Sequence, residues 1–147
     1  MAFQSVRRHD CIDVWGRSAA KAAAMVESLQ AASPESRCGP PDLPAAASDA
    51  DIISCATSAS QPILFSKWIS NGTHVDLVGA FSARTREADG SLIQRSRLYA
   101  DISENVLREA GGVLIPLCEG VIDERAVLGD LGGLATGVIA WRTHAPM

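Results

Sequence analysis

The sequence predicts an α/β fold with a mostly parallel sheet flanked by helices, on three observations. Short β-type runs alternate with helix-forming segments along the 147 residues, which is the order that leads to parallel pairing. Three of those runs end in small or basic residues. Ile12-Asp13-Val14-Trp15 passes into Gly16-Arg17-Ser18, Asp51-Ile52-Ile53-Ser54 ends in Cys55-Ala56-Thr57, and Thr73-His74-Val75-Asp76-Leu77-Val78 ends in Gly79-Ala80-Phe81. Ligands of parallel α/β sheets sit just beyond the carboxyl ends of strands. The third observation is the charged loop Arg86-Glu87-Ala88-Asp89 close behind the last of these ends.

In chain order, Ile12 to Trp15 is β-branched and apolar and reads as a strand. Ser18 suits an N-cap for Ala19 to Ala32, which carries apolar residues at Ala22, Met25, Val26 and Leu29. Pro34 cannot continue that helix, and Gly39-Pro40-Pro41 marks an exposed loop. Those prolines make a strand near Arg37 to Leu43 weak or lost. Leu43 to Ser48 suits a short helix before the strand Asp51 to Ala56, and Ser66 to Ser70 a single turn ending at Asn71-Gly72. The strand Thr73 to Val78 precedes the loop of Phe81 to Asp89. Gly90 to Arg97 reads as a helix, Leu98 to Asp101 as a strand, and Ser103 as the cap of a helix over Glu104 to Ala110 stopped by Gly111-Gly112. Val113 to Leu117 reads as a strand or extended arm and Asp123 to Leu128 as helical. Leu131 to Trp141 is apolar and rich in glycine, so it should pack on something.

Composition excludes several classes. One domain of this length buries a core without staples, and 47% hydrophobic with 20% charged residues fits a globular chain. A net charge of −4, seven aromatic residues and no basic stripe argue against nucleic-acid binding. Apolar runs fall short of a membrane span, and Met1 to Asp10 does not read as a signal peptide. Cys11, Cys38, Cys55 and Cys118 are scattered, as are His9, His74 and His144, so neither a disulfide framework nor a metal site is expected. Reduced cysteines in a cytoplasmic protein follow, with Cys11 and Cys55 as small hydrophobes.

Taken together, the three trimmed strand ends look like one wall of a dinucleotide cleft, although no Gly-rich phosphate loop precedes them. Arg17 bears on cofactor choice. Folds that prefer NAD place an acidic residue after the second strand to bind the ribose 2′-hydroxyl. Here Arg17 and Ser18 stand there, and a guanidinium fork with a hydroxyl suits a 2′-phosphate. The alternative from spacing alone is that Ser18 caps the helix and Arg17 is a solvated charge. Cys55, Ala56 and Thr57 would let backbone and a hydroxyl approach a ribose or nicotinamide, or form an ordinary strand end. Val78, Gly79 and Ala80 would give a bulky ligand room, or simply turn. Arg84, Arg86, Glu87 and Asp89 either include an acid–base group or carboxylate clamp, or form a solvated loop in which Arg86 pairs with Glu87.

These segments resemble the ornithine cyclodeaminase and mu-crystallin family. The match runs through Val14 to Ser18, Ala50 to Thr57, Pro62-Ile63-Leu64, Gly72 to Phe81 and Arg86 to Asp89. Tyr99-Ala100-Asp101, Glu109-Ala110-Gly111 and Gly129 to Gly137 extend it, in order over nearly the whole chain. The resemblance implies a homodimer whose subunit has a Rossmann-like domain and a separate substrate and dimerisation domain. Here residues 9–112 would be a partial NAD(P)-binding domain and residues 113–147 the start of the return to the substrate domain. Among the family's activities, which also include alanine dehydrogenases and a thyroid-hormone-binding crystallin, it implies cyclodeamination of ornithine to proline and ammonia with bound NAD, or NAD(P)H-dependent reduction of a cyclic imino acid such as Δ1-pyrroline-2-carboxylate.

Phe81 stands where cyclodeaminases carry a catalytic Asp, which favours the reductase branch. Arg17 and Ser18 align with the family's 2′-phosphate pair, which favours NADP(H), with NAD(H) as the second choice. The ligand partner implied is a small imino or amino acid. The family's first strand and glycine loop should lie just before His9, yet Met1 to Arg8 contains no glycine. The chain is therefore expected to be a truncated, inactive piece, because pyrophosphate would lose its helix N-terminus. A non-catalytic NADPH- or ligand-binding protein is the reading from another class.

Overall fold

The computed structural model describes residues 9–30, 34, 36–38 and 42–139. The chain divides into two compact units, the first ending at Asp49 and the second beginning at Ala50.

In the first unit, strand β1 (Ile12–Val14) leads to helix α1 (Ala19–Gln30), strand β2 (Ser36–Cys38) and helix α2 (Leu43–Asp49). Ser18 caps α1 as its residue type suggested: its Oγ accepts from Lys21 N at 3.4 Å, and its carbonyl accepts from Ala22 N at 3.0 Å. Ala22 and Val26, four residues apart on one face, are buried. Met25, expected on that face, is 52% exposed.

The strand expected to be weak or lost is present. β2 pairs in parallel with β1, with Asp13 opposite Arg37. The guanidinium reaches both carboxylate oxygens of Asp13, at 2.6 and 3.2 Å. β2 ends at Cys38, ahead of Pro40 and Pro41, so neither proline has to donate to the ladder. The loop predicted at Gly39 to Pro41 and the last turn predicted for α1 at Ala31 and Ala32 lie outside the described residues.

The second unit is built from parallel pairs. β3 (Ile52–Cys55) pairs with β4 (His74–Leu77), Ile52 opposite His74 and Cys55 opposite Leu77. Their connection passes through a 3-10 turn, Ser66–Trp68. Helix α3 (Gly90–Arg95) follows the loop after β4, then strand β5 (Leu98–Ala100), helix α4 (Ser103–Glu109) and helix α5 (Gly111–Cys118). A second 3-10 turn, Glu124–Ala126, precedes β6 (Val127–Asp130), which pairs in parallel with β5 with a shift in register between Leu98 and Ala100. Helix α6 (Leu131–Ala135) closes the order. All strand pairings among the described residues are parallel. The core gathers Cys55, Leu64, Ile69, Ala80, Ala88, Leu92, Ile93, Ala100 and Val113.

Three local expectations are corrected. Val113 to Leu117 is helical, not extended: α4 ends at Glu109 ahead of the glycines, as expected, and Gly111 then begins α5. Gly111 N donates to the Ser82 carbonyl at 3.0 Å, and a Cβ at Gly111 would run into the Ser82 and Thr85 carbonyl oxygens. Tertiary packing of the 82–85 turn on the helix start overrides the strand propensity of Val113 and Ile115. Asp123 to Leu128 is one 3-10 turn and then strand β6, because β5 offers an open edge to Val127. Ser103 is the first residue of α4 rather than its cap, and the flanking Ile102 makes no side-chain cap bond.

Candidate ligand site at the tips of β3 and β4

Parallel pairing in register brings the carboxyl ends of β3 and β4 side by side. Beyond them lies an open depression of about 330 Å³ lined by Ala56, Thr57, Ser58, Val78, Gly79 and Phe81. Val78 is 59% and Phe81 70% exposed, so two apolar side chains stand at its rim. Cys55 and Ala80 are buried: Cys55 ends β3, and Ala80 packs against Gly112 at the start of α5.

The two tips approach so closely that only glycine fits at residue 79. A Cβ there would overlap the Thr57 backbone and the Glu87 carboxylate. Glu87 explains why the approach is stable. It is fully buried, and its two oxygens accept from Thr57 N at 2.6 Å and from Gly79 N at 2.8 Å. One side chain from the following loop thus clasps both strand ends and satisfies two backbone donors, that of Gly79 buried and that of Thr57 half-buried.

That finding corrects the loop reading. Arg86 does not pair with Glu87. Its Nη1 meets both carboxylate oxygens of Glu119, each at 3.0 Å, and its backbone N–H donates to the Ala59 carbonyl at 2.9 Å. Asp89 is the N-cap of α3, its Oδ1 accepting from Leu92 N and Ser66 N, both at 2.9 Å. Arg84 is exposed. Glu87 and Asp89 are bonded to backbone N–H groups and Arg86 to Glu119, so the loop is a folded clasp and not a solvated run.

Arg95, which the sequence did not single out, ties α3 to the 3-10 turn. Its guanidinium donates to Ser66 Oγ at 2.8 Å, Asn71 Oδ1 at 3.1 Å, and the Ser66 and Ile69 carbonyls at 3.0 and 2.6 Å. No local spacing signals these partners, since they lie at least 24 residues away.

Electrostatics make Cys55 a structural thiol. Burial, then the charges of Glu87 and Asp76, push it from 9.0 up to about 12. It therefore stays protonated and is not a nucleophile. Among the described residues no group of three or more His, Cys, Asp or Glu side chains is placed to hold a metal. No helix among them is long and apolar enough to cross a membrane.

Of the residues singled out from the sequence, Ala56, Thr57, Val78 and Gly79 line one depression, and Cys55 and Ala80 lie buried beside it. Arg17 and Ser18 follow β1 in the first unit. Arg17 is exposed, and among the described residues no salt bridge involves it. The depression itself is mixed in character, with Thr57 and Ser58 among its lining residues. Its rim is apolar, and the Thr57 and Gly79 N–H groups are already taken by Glu87.

Parallel strand pairs joined through helices, with the site beyond their carboxyl ends, define a Rossmann-like α/β protein. The chain belongs to the ornithine cyclodeaminase/mu-crystallin family, whose model matches residues 1–146. It is 42% identical over 120 residues to a Delta(1)-pyrroline-2-carboxylate reductase of Paracoccus denitrificans, covering 82% of this chain and 38% of that protein. It is 32% identical over 134 residues to the enzyme of the same description from Colwellia psychrerythraea, covering 90% of this chain and 42% of the other. The solved structure of Thermococcus litoralis Delta(1)-pyrroline-2-carboxylate reductase in complex with NADH and L-proline superposes with a TM-score of 0.93 at 30% identity. That superposition covers 97% of this chain and 44% of the other. The chain thus spans about two-fifths of the length of these relatives.

Proposed function

We propose that this chain belongs to an NAD(P)H-dependent reductase of cyclic imino acids, of the Δ1-pyrroline-2-carboxylate type, that forms a cyclic amino acid such as proline. Support comes from the depression at the adjoining ends of β3 and β4, rimmed by Val78 and Phe81 and walled by Ala56, Thr57 and Gly79. It has the size and character for a nicotinamide ring, and Phe81, not a carboxylate, stands at its edge. Ornithine deamination calls for an acid–base group there, which Phe81 cannot supply. Residues 9–112 would serve the cofactor, and residues 113–147 would begin the return to the substrate and dimerisation part of a homodimer.

Arg17 and Ser18 would take the 2′-phosphate, giving NADPH preference over NADH. A bound nicotinamide cofactor would supply the hydride for the carbon of a protonated imine, and the tips of β3 and β4 would hold its ring. The cofactor supplies the redox chemistry, and the protein supplies orientation.

Titration of the chain with NADPH and with NADH, followed by tryptophan fluorescence, tests this reading. Trp15 lies two residues from Arg17, so a cofactor arriving there should quench it. Saturable quenching by NADPH is expected, weakened about tenfold in Arg17→Ala, equivalent to about 1.4 kcal/mol, with NADH binding little changed. A parallel assay on the complete reading frame that carries this chain should show NADPH oxidation by Δ1-pyrroline-2-carboxylate and no ammonia from ornithine. Ammonia release from ornithine, or a folded chain indifferent to both cofactors, would overturn the proposal.

A further inference from the structure

A buried negative charge lies directly under the β3–β4 depression. Glu87 is 0% exposed, and its two hydrogen-bond partners, Thr57 and Gly79, are both lining residues. Among the described residues no cation pairs with it, since the adjacent Arg86 turns to Glu119. A carboxylate bonded only to neutral amides projects its potential through protein of low dielectric rather than through water. Cys55 at the same strand end has its thiol pushed up by burial first and then by the Glu87 charge. The two clasp bonds also turn the Thr57 and Gly79 N–H groups inward, which takes two of the lining donors away from an anion above.

Resting on the nicotinamide reading above, we propose that Glu87 biases this depression toward a positively charged ring. It would favour the oxidised pyridinium form of the cofactor over the uncharged dihydro form. The consequence for reduction is direct. As the C–H bond of the dihydro ring breaks, its electron pair leaves with the hydride for the carbon of the protonated imine. The imine nitrogen becomes an amine, and the positive charge moves to the nicotinamide. A fixed negative charge beneath that ring stabilises the charge where it appears, with no reorganisation at the moment of transfer. Glu87 acts here through the strand tips that it holds and through its field, as a positioning residue that touches neither reactant.

The test compares NADP+ with NADPH by calorimetric titration of the chain and of Glu87→Gln. The two forms share phosphates and ribose and differ at the ring. The ratio of oxidised to reduced affinity should fall about tenfold in Glu87→Gln, the order expected for one buried unit charge near the ring. A purely structural role would weaken both forms alike, and an unchanged ratio would overturn the inference while leaving the nicotinamide reading standing. Should Glu87→Gln fail to fold, the unaltered chain is titrated with oxidised and reduced nicotinamide mononucleotide, and no preference for the oxidised form overturns it. Binding of no nicotinamide species by the folded chain would remove the functional reading and this inference together.

Discussion

Gly79 and Glu87 carry the site at the scale of single residues. Gly79 is required by contact, because a methyl group there collides with the Thr57 backbone and the Glu87 carboxylate at once. Gly79→Ala should therefore cost about 1–3 kcal/mol through overpacking, read from urea midpoints, and push the two tips apart. A midpoint unchanged from the parent chain would refute the clasp. Cys55 gives an independent check. Its thiol is raised from 9.0 to about 12 in the folded chain, so the folded form holds the proton more tightly than the unfolded form does. That contribution to stability is complete below pH 9 and is lost as the pH rises toward 12. At pH 8, iodoacetamide should label the exposed Cys11 and Cys118 and spare Cys55 until urea unfolds the chain. Rapid labelling of Cys55 in the folded chain would contradict its burial.

Among the elements, α3 is the best example of a short helix held by tertiary bonds. With six residues it has little stability of its own. Asp89 caps it and simultaneously accepts from Ser66 N, while Arg95 at its other end grips the 3-10 turn Ser66–Trp68. Asp89→Ala should cost about 2 kcal/mol, because the cap is lost and the Ser66 donor is left unmatched. Asp89→Asn, which keeps an acceptor oxygen, should recover most of that loss in the same denaturation experiment. Equal losses in both variants would show that the cap geometry does not matter. The β1–β2 pair has a counterpart in Asp13 and Arg37. The Arg37 hydrogen bond holds the Asp13 carboxyl below its ordinary 3.8, so this contact is present at neutral pH and fades only as acid protonates Asp13. Its exposure keeps the effect small.

For the whole molecule, the distribution of exposed apolar side chains makes a claim about solution behaviour. Leu128, Leu131 and Val138 are 45%, 56% and 83% exposed along β6, α6 and the turn after it. Apolar residues gathered in one chain segment favour association. Size-exclusion chromatography across a concentration series should show self-association, reduced in the double variant Leu131→Glu with Val138→Glu. A concentration-independent monomer would count against it.

Most of the element order up to α4, the parallel class, the cap at Ser18 and the crowding of small residues at strand ends were legible because local rules decide them. Periodicity, capping chemistry and strand-end composition act within a few residues. The same rules failed at β2, where prolines after Cys38 hid a real strand, and at 113–117, where an apolar β-branched run became helix α5. Gly111 seats that helix against the 82–85 turn, a contact that spans about 26–29 residues and has no local signature. Glu87 lay inside a segment already marked by its charges, but its role was invisible there. A carboxylate next to arginine reads as a surface pair until the fold buries it between two strand tips and gives Arg86 another partner. The sequence by itself determined the family and the α/β class, and of the three strand ends that it marked the structure brings those after β3 and β4 side by side. Only the tertiary structure decided what holds those ends together, because the donors at Thr57 and Gly79 find their acceptor 30 and 8 residues away.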